Sequence, residues 1–232
     1  MVSKDIVNPL YMYKKVRPKG ARLSEVKFRH LIKGFCLDFT AEDTAKLLGL
    51  NRHTINKYYG YFRGIIEAEL SQKEIISGEI EVDESYFGPT RVRGKRGRGA
   101  EKKTIVFGML NRKGKVYTFI IPNCQMPTII PIIEDLVVKG STIYSDGLGT
   151  YRCLVPKYKH FVINHGKGHF ADNENHVNGI EGFWAYAKLR MKKFKGIRKD
   201  KFLTYLKETE WRFNNRNYNK VKILVNLFKK YS

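Results

Sequence analysis

At Gly78 the apolar residues change their spacing, and the change divides the chain. Before that point they recur every three or four positions, and after it they alternate. In SEVKFRHLIKGFCLDF, Val26, Phe28, Leu31, Ile32, Phe35 and Cys36 fall largely on one stripe of a helix. In GEIEVDESYFG, Ile80 and Val82 alternate with Glu79, Glu81 and Asp83, which is the period of a strand with one buried face. The switch predicts an all-α domain over residues 1–75 and an α/β domain over residues 76–232.

Local signals fill in the elements. Thr40 opens TAEDTAKLLGL with Asp43 three residues on, a capping pattern ahead of an apolar run. Asn51 caps a third helix, NRHTINKYYGYFR. KKTIVFGMLNR and KVYTFIIPN read as two strands joined by a tight turn at Arg112, Lys113 and Gly114. PTIIPIIEDLVVKG reads as a helix capped by Gly140, STIYSDGLGTY as a strand ending at Asp146, and KHFVIN as a shorter strand. A long basic helix starting near His176 follows, then an amphipathic helix in KFLTYLKETEWRFNNRN. The expected fold class is therefore α/β, a mixed five-stranded sheet with flanking helices, preceded by the helical domain.

Charge narrows the function. The 232 residues carry 44 Lys and Arg against 22 Asp and Glu, a net charge of +22. Self-repulsion on that scale disfavours a compact chain, and a polyanionic partner offsets it; nucleic acid is the natural one. No run of ~18 apolar residues is present to span a bilayer, and MVSKDIVNPLYMYKK lacks the apolar core of a signal peptide. The expected location is the cytoplasm, beside the nucleoid of a prokaryotic cell. Cys36, Cys124 and Cys153 are far apart and odd in number, so neither a disulfide framework nor a zinc ribbon is expected.

Ala45, Gly49 and Ile55 have the spacing of a helix-turn-helix: a small residue where helices cross, a glycine for the left-handed turn, and an apolar plug from the second helix. That second helix would present Arg52, His53, Asn56 and Lys57 to bases and phosphates in a major groove. The alternative is a plain helical hairpin. The Gly-spaced segment RVRGKRGRGAEKK places Arg91, Arg93, Lys95, Arg96 and Arg98 in a basic arm suited to a DNA backbone. Lys192, Lys193 and Lys195 extend the later basic helix and suit the same contact. His165 and His176 precede that helix, where they could touch phosphate or cap the helix. Their spacing with His160 and His169 lacks the tight pair of a zinc site.

Three acids stand out against this basic background. Asp83 is expected at the end of the first strand, Asp146 ends the fourth, and Glu181 lies on the basic helix. Each alone has an ordinary account: a solvated strand end, an Asp-Gly turn, a favourable charge at a helix start. Together they can converge, and three converging carboxylates repel one another unless a cation neutralises them. Oxygen donors suit Mg²⁺ or Mn²⁺, and two such ions clamp the attacking and leaving oxygens of an in-line phosphoryl transfer. Glu81 shares a face with Asp83 and could support it from behind the metal ligands, whereas Glu84 faces the other way and reads as structural. Trp184 reads as core.

The stretches EVDESYFG, YSDGLGTY and NHGKGHF…HVNGIEGFWAYAK resemble the catalytic segments of DDE transposases from small bacterial insertion sequences, the group related to Merlin-type elements. The resemblance runs from the strand near Gly78 to the helix ending near Asn217, and is most specific at His176, Asn178, Glu181, Trp184 and Lys188. It implies an RNase H-like (retroviral integrase) catalytic domain, with Asp83, Asp146 and Glu181 as a metal-binding triad and Lys188, two helical turns on, as a phosphate-positioning base. Asn178 is a second candidate for the third ligand, since some relatives carry Asn there. The implied reaction is metal-dependent DNA cleavage at transposon ends and strand transfer into target DNA, by a homodimer or larger assembly. A DNA-binding regulator, or a decayed transposase that only binds DNA, is the alternative. Relatives often carry a Cys-rich zinc-binding N-terminus, which this chain replaces with the helix-turn-helix pattern.

Overall fold

The computed structural model describes residues 16–17, 21–88, 103–146, 151, 154–163, 178–194 and 196–231. The chain forms two compact units. Unit 1 runs up to Gln72 and takes up again at Asn215; unit 2 spans Lys73–Asn214.

Unit 1 contains α1 (Glu25–Cys36), α2 (Ala41–Leu48), α3 (Arg52–Leu70) and, from the far end of the chain, α7 (Lys220–Lys230). Each amino end carries the oxygen that the unpaired N–H groups of a first turn require. Ser24 accepts from Lys27, Thr40 from Asp43 at 3.1 Å, and Asn51 from His53 at 2.7 Å. Gly49 takes the left-handed conformation, φ 59°, which lets α2 stop and the chain turn into α3. Ala45 and Ile55 are both buried. Phe28, Phe35 and Phe62 meet edge to face in the core, and Phe228 of α7 packs on Phe28 with ring centroids 5.5 Å apart. Glu69 on α3 accepts from Lys230 at 2.7 Å and from Tyr231 at 2.9 Å. The sequence-based division assigned residues 215–232 to the second domain, but α7 buries Leu224, Val225, Leu227 and Phe228 and packs on α1 and α3. No strand or Gly-Pro break marks the change of unit, so apolar spacing alone could not show it.

Unit 2 is built on a five-stranded sheet in the order β3-β2-β1-β4-β5. Its strands are β1 (Glu79–Phe87), β2 (Thr104–Asn111), β3 (Val116–Ile121), β4 (Thr142–Ser145) and β5 (Lys159–Val162). The first three form an antiparallel meander, and β4 and β5 run parallel to β1, so the sheet is mixed. The helices are α4 (Met126–Leu136), α5 (Asn178–Lys192) and α6 (Phe202–Asn214). One cluster of buried residues gathers Ile80, Val82, Phe107, Met109 and Ile143 with Ile129 and Ile133 of α4. The other gathers Val106, Leu110, Val116 and Tyr144 with Ile180, Phe183, Trp184 and Ala187 of α5 and Leu206 of α6. Two clusters on alternating residues of the same strands give a layered α/β architecture.

The helix expected to run to Gly140 ends at Leu136. Val137 turns extended and pairs with Ile76, whose N–H donates to Leu136 O and whose carbonyl accepts from Val138. Pairing with a distant segment overrides the local helical pattern there, and Gly140, φ 84°, serves the turn into β4 instead. Near α6, Thr118 of β3 donates through both N–H and O–H to Glu210, which also takes Lys207 Nζ at 2.8 Å. Among the described residues no helix is long and apolar enough to cross a membrane.

Candidate active site

The last parallel pair between β1 and β4 is Val82 with Ser145. The next residue on each strand is an acid, Asp83 and Asp146, so the two carboxylates leave adjacent strands at the same level. Beyond this point β4 has ended, while β1 continues to Phe87 paired only with β2. Asp83 therefore lies in the middle of a long strand rather than at its end, and its cross-strand neighbour on β2 is Gly108.

Glycine is required at that position. A Cβ on Gly108 would stand 2.5 Å from Cζ2 and 2.7 Å from Cη2 of Trp184. The missing side chain lets the indole lie flat over β2 and reach across to β1, where Nε1 donates to Asp83 Oδ2 at 3.0 Å. Trp184 is core, as expected, and it is also a direct partner of the first acid. The signal was the pairing of a glycine with an aspartate across a strand ladder, and it becomes visible only once the register is known.

Asp83 is half-buried, and burial is the main reason its carboxyl is pushed up to about 6. The Glu84 N–H and the Trp184 indole favour the charged form, whereas the charges of Asp146 and Glu181 oppose it. The other two acids named from sequence, Asp146 and Glu181, thus both bear on Asp83. Glu181 is exposed in the first turn of α5, immediately after Ile180, which is buried against the sheet. Among the described residues no three His, Cys, Asp or Glu side chains form a group that could hold a metal ion.

A fourth acid belongs to the neighbourhood. Glu84 points to the opposite face, as its place in the strand dictates, and accepts a hydrogen bond from the buried Tyr151 hydroxyl. Burial chiefly pushes its carboxyl up to about 7, with the Asp83 and Asp146 charges adding to the effect. The same burial holds the Tyr151 hydroxyl well above the usual tyrosine range. Behind Asp146, Ser145 Oγ lies 2.9 Å from His160 Nε2 on β5, and burial lowers the pKa of that imidazole.

Glu81, two residues before Asp83, is 4% exposed. Its carboxylate accepts from the Ile180 N–H at 2.9 Å and from Arg112 Nε at 3.2 Å. The sequence suggests it as a supporting group on the face of Asp83; its partners, from the helix and the β2–β3 turn, are visible only in the fold.

The remaining expected residues are spread over both units. In unit 2, Lys188 is exposed two turns beyond Glu181, its ammonium 6.0 Å from the centre of the Phe87 ring. Lys192 ends α5, and Lys193 follows with its ammonium 5.1 Å from the Phe194 ring centre. Asn178 opens α5, but its side chain lies outside the described residues, as do Arg91, Arg93, Lys95, Arg96, Arg98, His165, His176 and Lys195. In unit 1, Arg52, His53, Asn56 and Lys57 are all exposed on the first two turns of α3.

Known proteins share this chain's sequence. It is 47% identical over 119 residues to a transposase-like protein of Haemophilus influenzae, an alignment covering 50% of this chain and 96% of that one. It is 27% identical over 154 residues to a protein in the transposable element ISH50 of Halobacterium salinarum, covering 59% of this chain and 52% of that protein, so about half of that relative's length. Among solved structures, a pre-cleavage Mos1 transpososome is matched at 9% identity and a TM-score of 0.31, over 92% of this chain and 80% of that one. The sequence likenesses are thus to a transposase-like protein and to a protein in a transposable element, which points to the class of the transposases. The ISXO2-like transposase domain matches residues 75–214, and the chain belongs to that family. The matched span coincides closely with unit 2.

Proposed function

We propose that unit 2 is an RNase H-like DDE catalytic domain that cuts DNA at the ends of its element and joins the freed 3′-hydroxyl to target DNA. The observation that carries this reading is the placement of Asp83 and Asp146 at one level of two parallel neighbouring strands, with the charges of Asp146 and of Glu181 on α5 both opposing ionisation of Asp83. Carboxylates brought near one another favour a cation, and an oxygen-only set fits Mg²⁺ or Mn²⁺. Asp83, Asp146 and Glu181, with Asn178 as an alternative third donor, would hold two such ions. When bound, the ions would supply activation of the attacking oxygen and stabilisation of the leaving one. Trp184 holds the Asp83 carboxylate toward the site, and Lys188 is placed to neutralise a phosphate of the bound strand.

Unit 1 is, in the same reading, a helix-turn-helix module. Arg52, His53, Asn56 and Lys57 would enter a major groove, and the basic residues at 91–98 and 192–195, with His165 and His176, would track the backbone. Joining two ends implies a homodimer or larger complex on DNA, in the cytoplasm of a prokaryotic cell. A chain that binds DNA without cutting it is the second reading.

The test is incubation of a labelled duplex bearing the element's terminal repeat with Mg²⁺, comparing wild type, Asp83→Asn and Glu181→Gln. The catalytic reading requires wild type to nick at the repeat boundary and join ends, and both variants to bind the duplex while losing at least ~100-fold in rate. Binding without cleavage by wild type in Mg²⁺ and in Mn²⁺ would establish the second reading. Normal cutting by Glu181→Gln alone would transfer the third-ligand role to Asn178.

A further inference from the structure

We infer that Glu81 is a positioning residue that sets where Glu181 stands relative to Asp83; the inference rests on the reading of Asp83, Asp146 and Glu181 as one metal-holding set. A carboxylate in the interior of a sheet is strongly disfavoured unless its charge is matched, and Glu81 is matched from two sides. Oε1 takes Arg112 Nε at 3.2 Å, and Oε2 takes the Ile180 N–H at 2.9 Å. The Ile180 amide is among the first four of α5, which have no partner within the helix and lie at its positive end. The acid on β1 therefore serves as an external cap for α5.

The approach is close because the helix was given no side chain there. A Cβ on Gly179 would stand 2.9 Å from Glu81 Oε2 and 2.9 Å from Leu110 Cδ2. Arg112 is itself held: its N–H donates to the Glu79 carbonyl, Nη1 donates to the Glu79 carboxylate at 3.1 Å, and the guanidinium lies 3.8 Å from the centre of the Tyr144 ring. A continuous set of contacts thus runs from the β2–β3 turn through Arg112 and Glu81 to Ile180, whose next residue is Glu181. Glu81 and Asp83 share one strand and one face. The strand that carries the first acid also anchors the helix that carries the third, so the gap between the two is set by a rigid brace.

The test uses the full chain with Glu81→Asp, which keeps the charge but retracts it by one methylene. Hydrogen exchange in the metal-free protein is read over residues 179–186. We expect exchange there to rise about tenfold with the rest of the unit 2 core unchanged. In the duplex cleavage assay, the Mg²⁺ concentration giving half the maximal rate should rise about tenfold while the duplex Kd stays within about twofold. A structural contribution alone would lower the maximal rate without moving the Mg²⁺ requirement, and that result overturns the inference, as does unchanged exchange over 179–186. If wild type never cuts but Glu81→Asp loosens the start of α5, the brace stands and the catalytic reading falls.

Discussion

Replacing Gly108 by alanine crowds the candidate site without touching an acid. The backbone of Gly108 is ordinary strand, outside the left-handed region, so alanine fits it. Were the space open, the substitution would stabilise unit 2 by ~0.5–1 kcal/mol through the smaller entropy of the unfolded chain. The space is filled: the new Cβ would meet Trp184 at 2.5 Å and Ile180 Cδ1 at 3.0 Å, and both are core residues. Overpacking at such a site costs ~1–3 kcal/mol. A displaced indole also releases Asp83 Oδ2, a half-buried acceptor, at a further ~1–3 kcal/mol. Allowing for the entropy gain, the net loss is about 1–5 kcal/mol, so even the sign separates the two cases. The chain has two tryptophans, Trp184 and Trp211, both in unit 2, and their fluorescence during urea unfolding reports that unit alone. In a Trp184→Phe background the crowding atoms are gone, and Gly108→Ala should cost at least ~1 kcal/mol less. A Gly108→Ala protein as stable as wild type, or more stable, would refute the account of how Trp184 reaches Asp83.

Lys207→Met leaves the fully buried Glu210 with only Thr118 as donor and should destabilise unit 2 by about 3 kcal/mol, measured by the same unfolding curves; a change below ~1 kcal/mol would mean the pair is not coupled. In unit 1, partial burial pushes the Glu69 carboxyl up, but bonds from Lys230 and Tyr231 outweigh it and leave the pKa below the usual value. A lowered folded-state pKa gives stability that is present above the unfolded value, near 4.5, and lost as pH falls through the folded one. The protection of α7 amides against hydrogen exchange, relative to the unfolded chain at the same pH, should therefore fall in acid in wild type, and less steeply in Glu69→Gln. If unit 1 reads DNA through α3, Arg52→Ala and Lys57→Ala should each reduce the salt dependence of duplex binding by about one unit of slope; unchanged slopes would remove α3 from the interface.

What the chain disclosed in advance follows from the range of the interactions involved. The helix caps at Thr40 and Asn51 and the left-handed Gly49 act within a few residues, and all stand in the structure as read. The five strands were legible from period two, since Ile80 and Val82 face one cluster while Glu81 and Asp83 face the other. The sequence marks Asp83 and Asp146 as strand-end acids; Asp146 follows the end of β4, but Asp83 is level with it from within the longer β1, which the register alone reveals. Contacts made across the fold were not legible. Leu136 stops its helix because Ile76 pairs with Val137, and α7 reaches α1 from 200 residues away in the pair Phe28 and Phe228 (228 − 28). Glu84 read as merely structural by alternation, yet feels Asp83 and Asp146 through the sheet, because charge acts across a strand that side-chain contact does not cross.

Unit 1 is assembled from two segments that lie on either side of unit 2 in the sequence, and this sets an order on synthesis. Its helices α1–α3 are made before unit 2 but lack Leu224, Val225 and Phe228, which complete their core. The 142 residues of unit 2 (214 − 72) are made in between, about 7–28 s at the usual ~5–20 residues per second. The unit at the start of the chain is thus the last to close, and its apolar face stays open while the sheet forms. A message interrupted between Asn214 and Lys220 would yield a finished unit 2 attached to a unit 1 that cannot close.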